Sequence, residues 1–521
     1  QTPPRLRETG ASMANHADTA ASRALQAAAS SGAGLRMVTV DPKGRDLEPG
    51  VDTIYDVDAR ADGEEQPQLE VSPITMYVTE YAERQFCQIA ASARFICYGL
   101  RAGQIRVLHK DTAMRSLLRG HTQQIADMRF APAPSKDDIL ASFGIDGNLF
   151  VKRVSVLDGE IVEHLLLQIT VSPMPESAEG LTPRVRWLGR SRLVASIGDG
   201  IFVAAVDTKV GAAPRVATVD LTLDSAVEGI AVVSKLRSRP SVVDMAVSVT
   251  DSGGQLAVGY DDGAVRVWTP TADVLHPFHM DQTFTPFDDG DKPLASVTWV
   301  GASSLVVGGE RNAQLALWTL GDGANDMLGA ESVQTLTFAS SKDGGDSEGI
   351  YNFVCCARPN ARLMLLANLR RQSVYAVHFT EDCSGFDYVS EFSATMPILS
   401  FTALREPAEE GEAGAGTLQL YCMQTQAIQQ YALHLDACRP IGVLGSELSV
   451  ALSEEEGEEA AAAPVTETRA EAGNERLARH RRVRQCERGR GRGEGWQAAL
   501  WKILWRRTTD MWVQQPPFAL Y

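Results

Sequence analysis

The sequence lacks the long apolar run that a membrane-spanning helix requires. No stretch of about 18 consecutive apolar residues occurs in the 521-residue chain. Its first residues, Q-T-P-P-R, lead into Ala- and Ser-rich sequence rather than into the apolar segment of a secretion signal. These absences predict a soluble protein that makes no membrane contact.

Metal-binding and redox motifs are missing as well. The eight cysteines are scattered along the chain without the C-x-x-C spacing of zinc sites and thiol-exchange motifs. Because no signal-like start accompanies them, we expect reduced thiols in an intracellular compartment. The sequence therefore predicts no metal and no cofactor.

Catalytic motifs do not occur in contexts that suit them. No phosphate-binding loop, zinc-protease motif or dinucleotide fingerprint stands between the elements it needs. Residues 345–349, G-D-S-E-G, match the nucleophile elbow G-x-S-x-G, but that motif needs a helix after its serine and strand-like sequence follows here. A solvated acidic loop is the better interpretation. We therefore expect that the protein is not an enzyme.

The net charge of the chain is unevenly distributed. The formal net charge is −17, yet residues 476–507 carry eleven Lys or Arg against two Glu. The rest of the chain is therefore strongly acidic, and a net negative field repels phosphate backbones. Protein partners are favoured over nucleic acid for this acidic part.

One hairpin pattern organises the chain. Residues 251–268 begin with a short apolar strand, turn at Asp262 and Gly263, and continue as an alternating strand up to Trp268. An Asp-Gly pair supplies the positive φ angles of a tight turn, and alternation is the period of a strand with two different faces. The segment predicts a β-hairpin.

The same hairpin recurs elsewhere in the chain. The turn residue stands six positions before Trp318 in residues 312–318, and six before Lys152 in residues 146–152, where Lys replaces Trp. Hairpins repeated at such intervals are typical of β-propeller blades, whose sheets bury their faces only against neighbouring blades. The strand pattern indicates seven blades. The sequence therefore predicts an all-β, seven-bladed WD-repeat propeller with disordered N- and C-terminal tails.

The domain boundaries follow from where the strand pattern begins and ends. Residues 1–70 show little periodicity, so a disordered leader is expected. Residues 71–440 form the propeller, and a strand at 74–81 is predicted to close the ring by pairing with the last blade. Residues 441–521 are acidic, then Arg-rich and Trp-containing, and are expected to be mostly disordered.

One blade contains polar residues that could be mistaken for a catalytic triad. Gly120 and His121 precede the blade, Ser142 lies on its second strand, and Asp146 lies at its turn. Hydrogen bonds among such residues tie the opening loop of a WD-repeat blade to its second strand, so a structural role is favoured over catalysis. The predicted structural blade residues are Gly120, His121, Ser142, Asp146, Asp262, Gly263, Trp268 and Trp318.

The tail offers a different kind of site. Arg488, Arg490 and Arg492 alternate with glycines. Such a flexible cationic strand can follow phosphates and stack on bases, which predicts weak RNA contact. The competing interpretation is a solvated linker, because the run is short.

Four runs of sequence resemble one protein family. They are R-G-H-T-Q-Q-I-A-D-M at 119–128, V-D-T-K-V-G at 206–211, T-M-P-I-L-S-F at 395–401 and Q-T-Q-A-I-Q-Q-Y-A-L at 424–433. On these runs the chain is similar to the amino-terminal WD-repeat domain of the mRNA-decapping scaffold family, called VARICOSE in plants and enhancer of mRNA-decapping protein four in animals. WD-repeat patterns alone would indicate no function, because many unrelated scaffolds share them.

The resemblance covers about residues 71–440 and implies a non-enzymatic scaffold. Members of the family gather the decapping enzyme and its activators in cytoplasmic processing bodies and promote 5′-cap removal. The family continues into a Ser-rich linker and a helical, self-associating region, whereas this sequence ends in the Arg- and Trp-rich tail, so it is either a fragment or has lost that region. The alternatives are a generic WD-repeat interaction scaffold and an RNA-binding module that acts through the tail.

Overall fold

The architecture is a ring of separate β-sheets. The structure is a computed structural model that describes residues 43–79, 87–132, 138–174, 181–223, 227–237, 240–248, 254–273, 275–287, 293–321, 329–342, 351–356, 362–405 and 416–440. Within these residues the strands form seven sheets of four or five strands each. The fold is therefore the seven-bladed β-propeller that the sequence predicts.

The first half of the described chain holds three early strands and blades one to three. The early strands are β1 (Arg45–Asp46), β2 (Thr53–Asp56) and β3 (Glu70–Met76). Blade one contains β4 (Ile89–Ala91), β5 (Phe95–Gly99), β6 (Ile105–His109) and β7 (Arg115–Leu118). Blade two contains β8 (Ile125–Phe130), β9 (Asp138–Gly144), β10 (Asn148–Leu157) and β11 (Glu160–Val171). The strands that follow, up to the end of blade three, are β12 (Arg184–Trp187), β13 (Arg192–Ile197), β14 (Gly200–Ala205), β15 (Arg215–Val219) and β16 (Ile230–Ser234).

The second half holds blades four to seven. Blade four contains β17 (Val242–Val247), β18 (Leu256–Tyr260), β19 (Val265–Pro270) and β20 (Phe278–Phe284). Blade five contains β21 (Leu294–Trp299), β22 (Ser304–Gly309), β23 (Gln314–Leu320) and β24 (Ala330–Ala339), with a 3-10 turn at Glu310–Asn312. Blade six contains β25 (Tyr351–Cys356), β26 (Leu363–Asn368), β27 (Ser373–Phe379) and β28 (Phe386–Ser393). Blade seven contains β29 (Ile398–Arg405), β30 (Thr417–Gln424) and β31 (Ala427–His434), followed by a 3-10 turn at Leu435–Cys438.

The hydrophobic core lies between the blades. One buried cluster combines apolar residues of blades two and three, and in it the rings of Phe143 and Phe202 meet edge to face at 6.3 Å. A second cluster combines blades five and six. Because each sheet buries its faces against its neighbours, no blade could keep its core without the others.

The ring closes through the outer strand of blade seven. Strand β3 pairs antiparallel with β31, from Glu70 opposite Ala432 to Met76 opposite Ala427. The predicted closing strand is thus confirmed, but it spans Glu70–Met76 rather than 74–81. The register shifts after Pro73, a residue that an edge strand tolerates because it needs no amide donor there.

The predicted disordered leader is wrong for residues 43–69, which we call the N-terminal arm. Strand β1 pairs antiparallel with β28 of blade six, and β2 pairs in parallel with β24 of blade five. Tyr55 is completely buried against Phe338 and Tyr375. These strands span two and four residues, which is too short to produce a visible sequence period.

Polar contacts fasten the N-terminal arm to the two blades. The buried side chain of Gln334 donates to the carbonyls of Glu48 (3.1 Å) and Val51 (2.9 Å) and accepts from the amide of Gly50 (3.1 Å). At the other end of the arm, Arg371 of blade six donates to Asp58 at 2.8 Å. The arm is therefore part of the propeller.

Blade three also contributes a strand to blade two. Strand β15 follows β14 in the chain, yet it pairs in parallel with β11 of blade two. The chain then returns, and β16 pairs with β14 as the outermost strand of blade three. The sequence pattern predicted neither β15 nor β16.

Candidate functional site

The predicted His, Ser and Asp of blade two are in contact. His121 Nε2 lies 2.9 Å from Ser142 Oγ, and His121 Nδ1 lies 3.3 Å from Asp146 Oδ1. The amide of Thr122 donates to Asp146 Oδ2 at 2.7 Å. The ring of Phe150 meets the imidazole edge to face at 4.7 Å. The set joins the loop before the blade to its second strand and its turn.

The burial of His121 and Ser142 distinguishes these residues from a catalytic triad. Ser142 is 3% exposed and His121 is 8% exposed, so the serine oxygen presents no face to a substrate. Burial alone would raise the pKa of Asp146, but hydrogen bonds from His121 and from Thr122 outweigh it and lower the pKa to about 2. The carboxylate acts as an acceptor within the blade.

Asp146 should make the stability of the propeller depend on pH. Its folded pKa of about 2 lies below the ordinary value of 3.8, so its contribution is present above about pH 4 and is lost as the pH falls towards 2. We expect the difference in unfolding free energy between the wild type and Asp146→Asn to shrink over that range in urea titrations. Exposed Asp111→Asn is the control. A difference that stayed constant with pH would contradict the assignment.

Lys152 stands where the repeat would place a Trp. Its ammonium donates to the carbonyl of Arg119 and lies 2.8 Å from Glu163 Oε2 and 5.5 Å from the centre of the Phe150 ring. The side chain is almost buried, and its contacts hold the start of the loop that carries His121. Blade two thus ties its opening loop by a charged contact at this point.

In blade four, two residues, Asp261 and Asp262, make the backbone contacts that Asp146 makes alone in blade two. Asp261 accepts from the amide of Ser241 at 2.8 Å, which ties the opening loop to the turn. Asp262 accepts from the amide two residues later at 3.0 Å, and Gly263 has a φ of +81°, as a tight turn requires. Of the predicted Asp262-Gly263 pair, only the glycine has a positive φ. The sequence analysis missed the contact made by Asp261.

Both predicted tryptophans lie at blade interfaces. Trp268 packs beside the buried cluster between blades three and four, which includes Tyr260, and Trp318 packs on Phe284 with ring centres 4.8 Å apart. Each is half-buried, and neither indole N–H has a hydrogen-bond partner among the described residues. Their contribution is therefore apolar contact.

Trp268→Ala should destabilise the propeller. Removing a well-packed Trp costs about 3–5 kcal/mol, and we expect the lower end because Trp268 is half-buried. The thermal midpoint of the purified protein measures the effect, with exposed Val210→Ala as the control. Equal midpoints for wild type and Trp268→Ala would show that the indole contributes nothing to the interface.

A network of charged side chains lies on the innermost strands. Asp127 on β8 is completely buried and contacts Arg186 of β12 and, at 3.2 Å, Arg129 of its own strand. Arg186 continues to Asp244 of β17 at 2.8 Å, and Arg184 contacts the same carboxylate at 3.4 Å. Three blades are thereby connected by alternating charges, a set of contacts that the sequence analysis missed.

The two carboxylates also accept backbone hydrogen bonds from the next blade. The amide of Val185 donates to Asp127 at 3.1 Å, and the amide of Val297 donates to Asp244 at 3.1 Å. Burial raises the pKa of Asp127, but the guanidiniums of Arg186 and its neighbours outweigh it and lower the pKa. The lowered pKa keeps the Asp127 carboxylate ionised. Both carboxylates join consecutive inner strands.

Where the ring closes, an uncharged hydroxyl accepts the backbone hydrogen bond that Asp127 and Asp244 accept elsewhere. Ser400 of β29 accepts from the amide of Gln88 at 3.0 Å, which joins blade seven to blade one. Ser400 and Asp127 both stand directly after a register shift at the start of their strands. The chain thus uses the same position for a hydroxyl at one junction and for a carboxylate at another.

Some predicted features fall outside the described residues. Arg488, Arg490 and Arg492 of the tail lie there, as does Ser347 of the nucleophile-elbow match. Among the described residues, no three His, Cys, Asp or Glu side chains are grouped so that they could hold a metal ion. In the same part of the chain, no helix has the length and apolar character needed to cross a bilayer.

A comparison with protein families gives a match over one part of the chain. A family model described as the WD40 region of Ge1, enhancer of mRNA-decapping protein, matches residues 71–189. Residues 71–189 are therefore similar to the WD40 region of Ge1. The matched segment runs from the closing strand β3 to the end of β12, so it includes blades one and two with the His121 set.

Individual proteins named enhancer of mRNA-decapping protein 4 are also similar to this chain. Enhancer of mRNA-decapping protein 4 from Homo sapiens is 24% identical over 428 residues, covering 69% of this chain and 29% of that relative. The Mus musculus protein of the same name is 34% identical over 106 residues, covering 19% of this chain and 7% of its own. The chain thus spans less than a third of these relatives.

The comparison with solved structures gives partial matches in three dimensions. The crystal structure of Saccharomyces cerevisiae Sqt1 matches with a TM-score of 0.44 and 11% sequence identity. That match covers 71% of this chain and 99% of the Sqt1 chain.

Proposed function

We propose that the protein is a non-enzymatic scaffold of cytoplasmic mRNA decapping. It gathers the decapping enzyme and its activators in processing bodies and thereby promotes 5′-cap removal and mRNA decay. The observation that carries the proposal is the match of residues 71–189 to the WD40 region of a decapping enhancer. The relatives are themselves named as enhancers of mRNA decapping.

The geometry of the propeller supports binding rather than catalysis. Its most triad-like set, formed by His121, Ser142 and Asp146, is buried and is engaged within one blade. The charged network around Asp127 is likewise engaged in joining blades. The surfaces that the propeller offers to partners are its loops and its outer sheet edges.

Affinity purification tests the proposal. The tagged full chain is purified from cells of its source organism and the bound proteins are identified by mass spectrometry. We expect subunits of the decapping complex, and we expect them also with a chain that ends at residue 440. Reproducible purification without them would reduce the protein to a generic WD-repeat scaffold.

RNA binding through the tail is the second candidate. It is favoured by Arg488, Arg490 and Arg492 between glycines. RNA affinity measured against salt separates the two functions, since each phosphate contact steepens the salt dependence. We expect weak binding by residues 43–440. Tight, steeply salt-dependent binding by that segment would contradict the scaffold-only account.

A further inference from the structure

An open strand edge lies beside a cavity on blade three. Strand β16 is the outermost strand of this blade, and no strand in the described part of the chain pairs with its outer side. A cavity of about 390 Å³ lies next to it, between β14 and β16 on one side and residues 271–273, 275 and 277 after β19 of blade four on the other. Cavities of this size accept small ligands or side chains.

The cavity is lined by apolar side chains, and its rim carries charges of both signs. Its apolar residues are Val203, Val227, Ile230, Ala231, Leu275 and Pro277. The charged residues at its rim are Arg192, Glu228 and Asp273, so charges of both signs are present. Leu275 is 64% exposed, which leaves an apolar side chain in water at the mouth. Such a site suits an uncharged, apolar group.

The cavity lies on the face that an added strand would use. Val203 of β14 and Ala231 of β16 are direct partners across the sheet, so their side chains share one face. Both line the cavity. A strand added outside β16 would direct every second side chain towards this same face, and one of them would enter the cavity.

Other blades of this propeller show that their outer edges accept extended segments. Strands β15 and β2 add in parallel to the outer edges of blades two and five. Strands β1 and β3 add antiparallel to blades six and seven. Each added strand comes from a distant part of the chain. Among the described residues, blades one, three and four receive no such strand, and of these three blades only blade three has the cavity described above beside its outermost strand.

We propose that an extended peptide segment of a partner protein adds to β16 and places a bulky aliphatic or aromatic side chain in the cavity. Backbone hydrogen bonds to the strand edge supply affinity, and the cavity selects the side chain. The inference rests on the proposed scaffold function and locates one of its docking sites. The mixed charges at the rim predict that binding depends little on salt.

Selected peptides test the site directly. Random peptides displayed on phage are selected on the immobilised full chain, and the enriched sequences are synthesised and titrated by fluorescence anisotropy. We expect a shared bulky apolar position. We also expect Leu275→Asp to weaken binding about tenfold or more. The matched control is Leu157→Asp at the end of β10, where the leucine is 61% exposed, and it should bind like the wild type.

Backbone chemistry separates strand addition from simple insertion into the cavity. N-methylation of alternate peptide amides should abolish binding for one of the two registers, because the methyl group removes the donors that pair with β16. Hydrogen exchange of residues 230–234 should slow when the peptide binds. Binding that tolerates methylation in both registers, or that leaves exchange in β16 unchanged, would overturn strand addition.

The remaining outcomes are also decisive. Equal binding by wild type and Leu275→Asp, or the absence of any enriched peptide, would overturn the site. A dimer of the full chain that Leu275→Asp dissociates would assign the edge to a second copy instead. Loss of decapping subunits from the affinity purification together with intact peptide binding would contradict the proposed function and leave the site standing.

Discussion

Deletion of residues 1–65 is expected to make the protein aggregate. It removes β1 and β2 from the edges of blades six and five and exposes the apolar cluster that covers Tyr55. It also takes away Arg60, which lies 2.7 Å from Glu391, a residue whose pKa burial already raises. Exposed sheet edges and apolar surface promote association. The soluble fraction and the size-exclusion profile measure the effect.

A shorter deletion provides the control. Removal of residues 1–42 keeps every contact of the N-terminal arm described above, so we expect a soluble monomeric propeller. Tyr55→Ala in the full chain should by itself cost about 3–5 kcal/mol, as a large buried aromatic does. A leader that ended at residue 70, as the sequence predicts, would tolerate both deletions. Equal solubility of the two truncations would therefore contradict the role of the arm.

Asp127→Ala should destabilise the propeller by about 3–5 kcal/mol, the usual cost of leaving a buried charge without its partner. The substitution removes the carboxylate from Arg186 and Arg129 and leaves the Val185 amide without its acceptor. Urea denaturation of the purified propeller measures the change. If Asp127→Ala lowered the free energy of unfolding no more than replacement of an exposed aspartate does, the network would not contribute to stability as proposed.

Two further variants separate the effect of the Asp127 charge on stability from the effect of losing a backbone hydrogen bond. Ser400→Ala removes the neutral counterpart at the junction of blades seven and one, and should cost only about 1–3 kcal/mol for one unsatisfied amide. Joint replacement of Asp127 by Leu and Arg186 by Met should recover part of the loss, because apolar groups of similar size need no partner. Equal losses for Asp127→Ala and Ser400→Ala would show that charge adds nothing.

Features that depend on neighbouring residues could be predicted from the sequence. The turn at Asp262 and Gly263 was predicted because an Asp-Gly pair suits a tight hairpin. In the structure Gly263 has the positive φ and Asp262 does not. The contact of His121 with Asp146 was anticipated because both belong to one blade. Seven blades followed from the repetition of such local signals.

The missed features depend on partners far away in the sequence. Strand β1 pairs with residues of blade six, and β15 pairs with a blade that precedes its own. Neither carries a local turn or period that indicates its partner. The alternation of Arg184 and Arg186 is that of an exposed strand, and only the spatial approach of Asp127 and Asp244 makes burial of these arginines favourable.

The N-terminal arm also sets an order of events during synthesis. Gly44 and Tyr388, which are hydrogen-bonded in the propeller, are 344 positions apart. Ribosomes add 5–20 residues per second, so the arm waits roughly 20–70 s before blade six exists. During that time Leu47, Tyr55 and Val57 have none of the blade-six residues they pack against. The N-terminal arm is thus synthesised before the blades that it completes and packs against them only after they have formed.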